Sequence, residues 1–315
     1  MKDYLIYKRG KTWFEAVNLE SDKMPLILAH GGPGFTSYYL EPFKEISKEI
    51  PIVLYDQQGC GRSSKIDLKN ANIKFYVKEL EALRKKLKIK KFYLLGHSWG
   101  AALALEYYKH YSKRVEKIIF ASPFISSRYW QLDILSNVKT LHNNVRNNIL
   151  NVIDNKDYYS ANFLEAVNSY NKNFIYRSEN KPFCLLEAET NSSSDIYIHM
   201  WGLSEFIVNG TLKNFDNSKY LKKVKIPCLF TAGQYDESSL ETLIYYKSLV
   251  KSKVKDIKIY EHSAHHPHIE DNKLYINDIL SFLRTLLSYE SYPNRRTIVW
   301  VVLILSFFYL VLIYC

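Results

Sequence analysis

The most informative short motif of the chain is Gly-His-Ser-Trp-Gly at residues 96–100, which places Ser98 between two glycines. An apolar run precedes the motif and an alanine-rich helical pattern follows it. A serine at such a strand-to-helix turn is presented for nucleophilic attack, and only small residues fit at the two glycine positions. The sequence therefore predicts acyl transfer with Ser98 as the nucleophile.

A serine hydroxyl is a weak nucleophile until a base takes its proton, so a histidine and a carboxylate must lie nearby in the fold. Asp236 and His265 follow two later apolar runs and complete the chain order Ser, Asp, His. We predict that His265 is the base and that Asp236 orients it, with His266 as the alternative base.

The histidines near the base also raise the question of a metal site. His262, His265, His266 and His268 stand close together in the sequence. Pro267 blocks helical i, i+4 pairing, and the zinc-protease pattern His-Glu-x-x-His does not occur. We therefore predict neither a metal nor a cofactor.

A glycine-rich loop, HGGPGF at residues 30–35, follows another apolar run. Such a loop can cradle a phosphate or present an N–H to a developing oxyanion. It matches neither phosphate-binding glycine pattern, and Pro33 removes one N–H. With a serine nucleophile, the prediction is an oxyanion hole formed by the N–H groups of Gly32 and Trp99.

These residues need a scaffold that brings strand ends together. Eight strand-like runs, most of them continuously apolar, alternate with helical patterns, which indicates a doubly wound, mostly parallel α/β sheet. The runs are YLIYK, TWFEAV, PLILAH, IVLYD, KFYLLG, VEKIIFAS, IPCLFTAG and IKIYEH. The first two alternate more and are predicted to form an antiparallel edge.

The alternation of strands and helices stops after the sixth run and resumes at the seventh. We predict a helical cap there, inserted over the carboxyl edge of the sheet, where open α/β sheets bind ligands. The predicted domains are a core formed by residues 1–123 and 223–288, a cap at 124–222, a linker at 289–296 and a transmembrane tail at 297–315.

Four motifs together resemble the proline iminopeptidases of the α/β-hydrolase fold: HGGPG, DQQGCGRS, GHSWG and YDE. The resemblance runs from about residue 10 to 288. It implies removal of an N-terminal residue, with proline expected, from short peptides or aminoacyl amides. In that family two glutamates hold the free α-ammonium group, which implies this role for Glu205 in MWGLSEF and for Glu237 in YDE. Gln58 and Cys60 replace the family's usual arginine and serine, which affects the expected specificity more than the chemistry.

Two other functions remain open at this level. The first is an esterase or lipase on the same scaffold, which would not need Glu205 and Glu237. The second is a binding module without catalysis, which the complete set of Ser98, Asp236 and His265 disfavours. Both alternatives share the predicted fold.

Composition limits the class of protein. The chain has 315 residues, 47% of them hydrophobic, and a formal net charge of +11. Its lysines are scattered and no nucleic-acid-binding motif accompanies them, so we predict no nucleic-acid partner. Its four cysteines form no CxxC pair, which fits a reducing compartment, and the N-terminus lacks the pattern of a secretory signal.

The last 19 residues differ from the rest of the chain. Residues 297–315 contain no charged side chain and follow Arg295 and Arg296. As a helix they would span about 27 Å, within the range for a bilayer. The interpretation is a single-pass tail anchor in a membrane, with the catalytic domain facing the cytosol. The alternative is a buried C-terminal helix.

Overall fold

One eight-stranded sheet forms the centre of the molecule. The computed structural model describes residues 1–284, with the side chain of residue 154 excepted. The strand order is β1-β2-β4-β3-β5-β6-β7-β8; β1 pairs antiparallel with β2 and β2 with β4, and all other pairs are parallel. The strands are β1 (Lys2–Tyr7), β2 (Gly10–Val17), β3 (Leu26–Ala29), β4 (Ile52–Tyr55), β5 (Phe92–His97), β6 (Val115–Ala121), β7 (Cys228–Gly233) and β8 (Lys255–Tyr260). The predicted mostly parallel α/β sheet is confirmed.

Helices connect and cover these strands. The helices are α1 (Ile73–Lys86), α2 (Trp99–Tyr111), α3 (Ser127–Thr140), α4 (Asn143–Asn155), α5 (Ala161–Phe174), α6 (Phe183–Thr190), α7 (Ser194–Met200), α8 (Leu240–Leu249), α9 (Pro267–Glu270) and α10 (Asn272–Arg284). An 11-residue 3-10 helix, Tyr38–Lys48, connects the glycine loop to β4. Helix α2 begins directly after Ser98, at the turn that the sequence predicts.

The inner strands are buried on both faces, which explains their continuous apolar sequences. All four residues of β3 and of β4 are buried. Successive residues enter different hydrophobic clusters, as Ile27 and Leu28 do, because side chains alternate across a strand. The two clusters lie on opposite faces of the sheet and hold it between layers of helices.

Helices α3 to α7 lie between β6 and β7, in the segment predicted as a cap. A short antiparallel bridge between Ser126 and Asp216 joins the two ends of this insertion. Beside it, the Ser127 N–H donates to the Phe215 carbonyl over 2.9 Å. Residues Met1–Leu283 nevertheless form one compact unit, so the division into core and cap stays a prediction.

The membrane prediction requires correction. Within residues 1–284 there is no helix with the length and apolar character that crossing a bilayer demands. Residues 289–296 and 297–315, predicted as linker and transmembrane tail, lie outside the described residues. On this finding the predicted location, a tail-anchored protein with its catalytic domain facing the cytosol, is wrong, and the predicted membrane partner has no support among the described residues.

A buried carboxyl lies between α1, β2 and the loop after β4. Glu79 is fully buried; its Oε1 accepts hydrogen bonds from the Thr12 hydroxyl at 2.5 Å and the Gln58 N–H at 3.0 Å. Its Oε2 has no hydrogen-bond partner among the described residues. Burial raises the pKa of Glu79 from 4.5 to about 8, against the lowering effect of these two hydrogen bonds. The folded protein therefore holds this proton more tightly than the unfolded chain does.

This proton makes stability depend on pH. A raised folded-state pKa favours the native state at low pH, and the advantage is lost as pH rises from the unfolded-state pKa through the folded one. We expect the free energy of unfolding of the wild type to fall relative to that of Glu79→Gln between about pH 5 and pH 8, by more than about 1 kcal/mol. Urea unfolding of both proteins at each pH measures the difference. Parallel pH curves would contradict this assignment.

Candidate active site

Ser98 lies in a strained turn between β5 and α2. Its φ of +54° and ψ of −122° lie in a region that side-chain-bearing residues rarely adopt. A Cβ at Gly96 would lie 2.1 Å from the Gly100 carbonyl oxygen, and one at Gly100 would lie 2.1 Å from that of Ala29. The two glycines are therefore required by backbone contact, and the turn presents Ser98 at the carboxyl edge of the sheet.

Asp236 and His265 form a hydrogen-bonded pair. The His265 Nδ1 and Asp236 Oδ1 atoms are 2.7 Å apart, and both side chains are buried. The N–H groups of Gly233 and Ser238 also donate to the Asp236 carboxylate, each over 3.2 Å. With the carboxylate bound at Nδ1, the Nε2 of neutral His265 is left with a lone pair that can accept a proton.

A cavity of about 130 Å³ brings most of the predicted site residues together. Ser98 and His265 line it, as do Gly32 of the glycine loop and both glutamates, Glu205 and Glu237. The other lining residues come from the core and the insertion and are mostly aromatic: Gly31, Phe35, Tyr39, His97, Trp130, Ile175, Tyr197, Trp201 and His266. A ligand in this cavity would contact the nucleophile, the base and two acids.

The two predicted oxyanion donors lie in the glycine loop and at the start of α2. Gly32 has a φ of +117°, and a Cβ there would lie 2.5 Å from the N atoms of Gly34 and Phe35. Trp99 is the first residue of α2, so its N–H has no acceptor within the helix. Their assignment as oxyanion donors stays a prediction.

The loop with the sequence DQQGCGRS holds these two elements together. The Gln57 side chain accepts the Trp99 indole N–H at 3.0 Å and donates to the His30 carbonyl at 3.0 Å. Asp56 beside it is fully buried and paired with Arg62, whose Nε lies 2.7 Å from its Oδ2. The motifs that are separate in the sequence are thus connected by hydrogen bonds in the fold.

Glu205 and Glu237 bring two carboxyl groups to the cavity. Glu205 accepts a hydrogen bond from the Tyr197 hydroxyl, and burial raises the pKa of its carboxyl. Glu237 is 2% exposed, and its Oε1 has no hydrogen-bond partner among residues 1–284. Burial, and then the charges of Glu205 and Asp236, raise the pKa of Glu237 well above its ordinary value. A cation bound beside these two carboxylates would relieve this destabilisation.

The histidines that lie together in the fold are not the same four that stand together in the sequence. His262 is exposed, and His265 is paired with Asp236. In the described part of the chain, one group could hold a metal ion, namely His97, His266 and His268, whose ligand atoms all lie within 4.8 Å of one another. Both ring nitrogens of His97 already have hydrogen-bond partners, Tyr39 and His265. The rings of His97 and His266 are also stacked, an arrangement that does not direct their in-plane lone pairs at one ion.

Sequence reasoning missed several residues around the site. Tyr39 and His97 form hydrogen bonds that join the glycine loop, the Ser98 turn and the His265 loop. Trp130 packs edge-on against His265 with ring centroids 5.7 Å apart. Glu270 accepts the N–H of Ala264 at 2.9 Å, beside the base. His97 could have been noticed as the neighbour of Ser98, whereas the others follow no local pattern.

The sheet and the serine-bearing turn define the α/β-hydrolase class. A protein-family model described as alpha/beta hydrolase fold matches residues 24–272. A proline iminopeptidase of Heyndrickxia coagulans is 37% identical over 280 residues, 88% of this chain and 96% of that relative. Another from Clostridium botulinum is 32% identical over 293 residues, covering 89% and 97%. The crystal structure of a proline iminopeptidase from Mycobacterium smegmatis has the same fold, with a TM-score of 0.83 at 21% identity, covering 90% and 97%.

The chain belongs to the proline iminopeptidase family of the α/β-hydrolase fold. It is a serine aminopeptidase, as its sequence predicts.

The backbone contact at Gly100 leads to a prediction. Gly100→Ala places a methyl group against the Ala29 carbonyl, so we expect a loss of about 1–3 kcal/mol or more in the free energy of unfolding. The comparison variant is Gly10→Ala, whose Cβ would have the end of the buried Gln58 side chain as its nearest neighbour, at 2.8 Å; a side chain can shift where a backbone carbonyl cannot, so we expect a smaller loss. Urea unfolding compares the two variants. A Gly100→Ala protein that unfolds with the wild-type free energy would show that the turn does not require Gly100.

Proposed function

We propose that this enzyme removes N-terminal proline from short peptides or aminoacyl amides. Ser98 attacks the carbonyl carbon while His265 takes its proton, and Asp236 orients the ring and stabilises its charged form. The N–H groups of Gly32 and Trp99 hold the oxyanion. His265 then protonates the leaving amine, and a water molecule activated by the same residue hydrolyses the acyl-enzyme and regenerates Ser98.

The observation that carries this proposal is the pair of buried carboxyls in the same cavity as Ser98. A substrate ammonium entering a desolvated site loses its hydration, and it binds well only if fixed negative charge compensates that loss. Glu205 and Glu237 supply that charge, and Oε1 of Glu237 has no hydrogen-bond partner among the described residues. A protonated prolyl nitrogen has two N–H donors, one for each carboxylate. A substrate with an N-terminal acyl group would offer no charge there.

Aromatic side chains support proline as the residue that is removed. Trp130, Tyr197 and Trp201 line the cavity, and the rings of Trp130 and Trp201 meet edge-on with centroids 6.0 Å apart. A pyrrolidine ring is apolar and compact, so such walls can cover it on several sides. All three residues belong to residues 124–222, which we propose as the cap that closes over the substrate.

The free amine and the serine give the first test. The enzyme should release nitroaniline from prolyl-nitroanilide, and Ser98→Ala should show no turnover above the uncatalysed rate. Acetylation of the prolyl nitrogen removes its charge, so acetyl-prolyl-nitroanilide should react at least 100-fold more slowly by kcat/KM. Equal rates on the free and acetylated substrates would exclude the aminopeptidase and favour an esterase-like enzyme.

The ammonium site gives the second test. Loss of one charged partner from a desolvated pair costs about 2–5 kcal/mol. Glu205→Gln should therefore lower kcat/KM for prolyl-nitroanilide by about 30-fold or more. Glu165→Gln changes an exposed glutamate of α5 and is the matched control, with an expected change below about twofold. A Glu205→Gln enzyme that matches this control would remove Glu205 from the ammonium site.

A further inference from the structure

A line of buried hydrogen bonds connects the three loops that carry the proposed catalytic groups. The Gly31 N–H donates to the Tyr39 hydroxyl oxygen at 2.8 Å. That hydroxyl lies 2.9 Å from Nδ1 of His97, and Nε2 of His97 lies 2.8 Å from the carbonyl oxygen of His265. Gly31 lies in the oxyanion loop, residues 30–35, and His97 directly precedes Ser98 in the nucleophile turn. His265 lies in the base loop, residues 261–266, between β8 and α9.

The chemistry of the partners fixes the direction of each hydrogen bond. A carbonyl oxygen only accepts, so Nε2 of His97 must carry a proton. The His97 ring is buried beside three other histidine rings, and burial, with the charges of those histidines, lowers its pKa well below the ordinary value. The ring is therefore neutral, its Nδ1 has a lone pair, and the Tyr39 hydroxyl donates to it.

We propose that Tyr39 and His97 are positioning residues that hold the oxyanion loop, Ser98 and His265 in mutual register. The inference rests on the catalytic roles proposed above for Gly32, Ser98 and His265. Neither positioning residue takes part in the proton transfers of the reaction. The Tyr39 hydroxyl accepts a hydrogen bond from the Gly31 N–H and donates one to Nδ1 of His97. The Nε2–H of His97 then donates to the carbonyl oxygen of His265.

The tight packing around Gly31 explains why the arrangement affects the reaction. A Cβ at Gly31 would lie 3.0 Å from Cβ of Ser98 and 3.2 Å from the Tyr39 hydroxyl oxygen. The glycine loop therefore rests directly on the nucleophile turn. An error of about 1 Å in the placement of a catalytic group can cost about 100-fold in rate. Without the Tyr39 hydroxyl, the Gly31 N–H and Nδ1 of His97 would both lose a buried partner.

The base loop is also held by hydrogen bonds that do not involve Tyr39. Removal of the Tyr39 hydroxyl should therefore displace mainly the oxyanion loop. The Ser122 hydroxyl donates to the same His265 carbonyl at 3.2 Å, and the His265 N–H donates to the Ile175 carbonyl at 3.2 Å. These bonds do not involve Tyr39. The glycine loop depends more directly on Tyr39, through Gly31.

The test compares Tyr39→Phe with Tyr275→Phe. Tyr275 is also fully buried and loses one comparable hydrogen bond, at 2.9 Å to Thr231, which touches none of the three loops. For Tyr39→Phe we expect kcat on prolyl-nitroanilide to fall 10- to 100-fold with KM within threefold of the wild type. Tyr275→Phe should keep kcat within threefold. Equal kcat values for the two variants, or a loss confined to KM, would overturn the inference.

A second measurement separates this inference from the proposed substrate. A fluorophosphonate reagent phosphonylates an activated serine with loss of fluoride and needs no N-terminal proline. Its rate constant should fall 10- to 100-fold in Tyr39→Phe and stay within threefold in Tyr275→Phe, with Ser98→Ala unlabelled. If the wild type is labelled but does not hydrolyse prolyl substrates, the proposed function is refuted. The labelling rates of Tyr39→Phe and Tyr275→Phe would still test the inference in that case. A wild type that resists labelling would overturn the catalytic roles and the inference together.

The tautomer of His97 can be measured directly in the wild-type protein. In protein containing ¹⁵N-labelled histidine, nitrogen chemical shifts should identify a neutral ring with its proton on Nε2 between pH 6 and 8. His97→Gln assigns the signal by its disappearance. A proton on Nδ1, or a charged ring at pH 7, would overturn the proposed direction of the hydrogen bonds.

Discussion

The backbone of Ser98 is the constraint on which the rest of the site depends. Its positive φ turns the chain sharply from β5 into α2, and this turn is possible only where the glycines on either side allow carbonyl groups to approach closely. The same turn leaves the Trp99 N–H at the first position of a helix, without an intrahelical acceptor. A single strained residue thus places the proposed nucleophile and one of the proposed oxyanion donors side by side.

The surrounding polar groups are arranged so that this strained turn does not relax. The Ser98 N–H donates to the Ala121 carbonyl at 2.9 Å, and its own carbonyl accepts the Phe124 N–H at 3.2 Å. Gln57 and Tyr39 hold the glycine loop from two sides. Buried polar groups are costly when unpaired, so each bond made here also opposes movement of the loop that makes it. Preorganisation of the site is in this sense a consequence of burial.

The sequence predicts the elements of this site better than their connections. Ser98, Asp236 and His265 could be found because each follows an apolar strand, and strand ends of a parallel sheet meet at one edge. Tyr39 could not be found, because the 3-10 helix that brings its hydroxyl to the Gly31 N–H has no periodic pattern in the sequence. Burial was equally hidden: Glu79 stands in a helix among lysines, yet it is fully buried. Gln58, which stands where the resembled family has arginine, gives Glu79 a backbone N–H but no positive charge.

Net charge illustrates the same limit and bears directly on substrate choice. The chain has a formal net charge of +11, but the described residues that line the cavity include two glutamates and no lysine or arginine. Because burial raises the pKa of Glu205 and of Glu237, the folded protein favours a proton on this pair. An ammonium group that binds there favours the charged carboxylates, so binding releases that proton. An uncharged substrate group would form no ion pair with the carboxylates, and an anionic group would be repelled by them. With the roles proposed for Glu205 and Glu237, the cavity would select for a cation, although the molecule as a whole is basic.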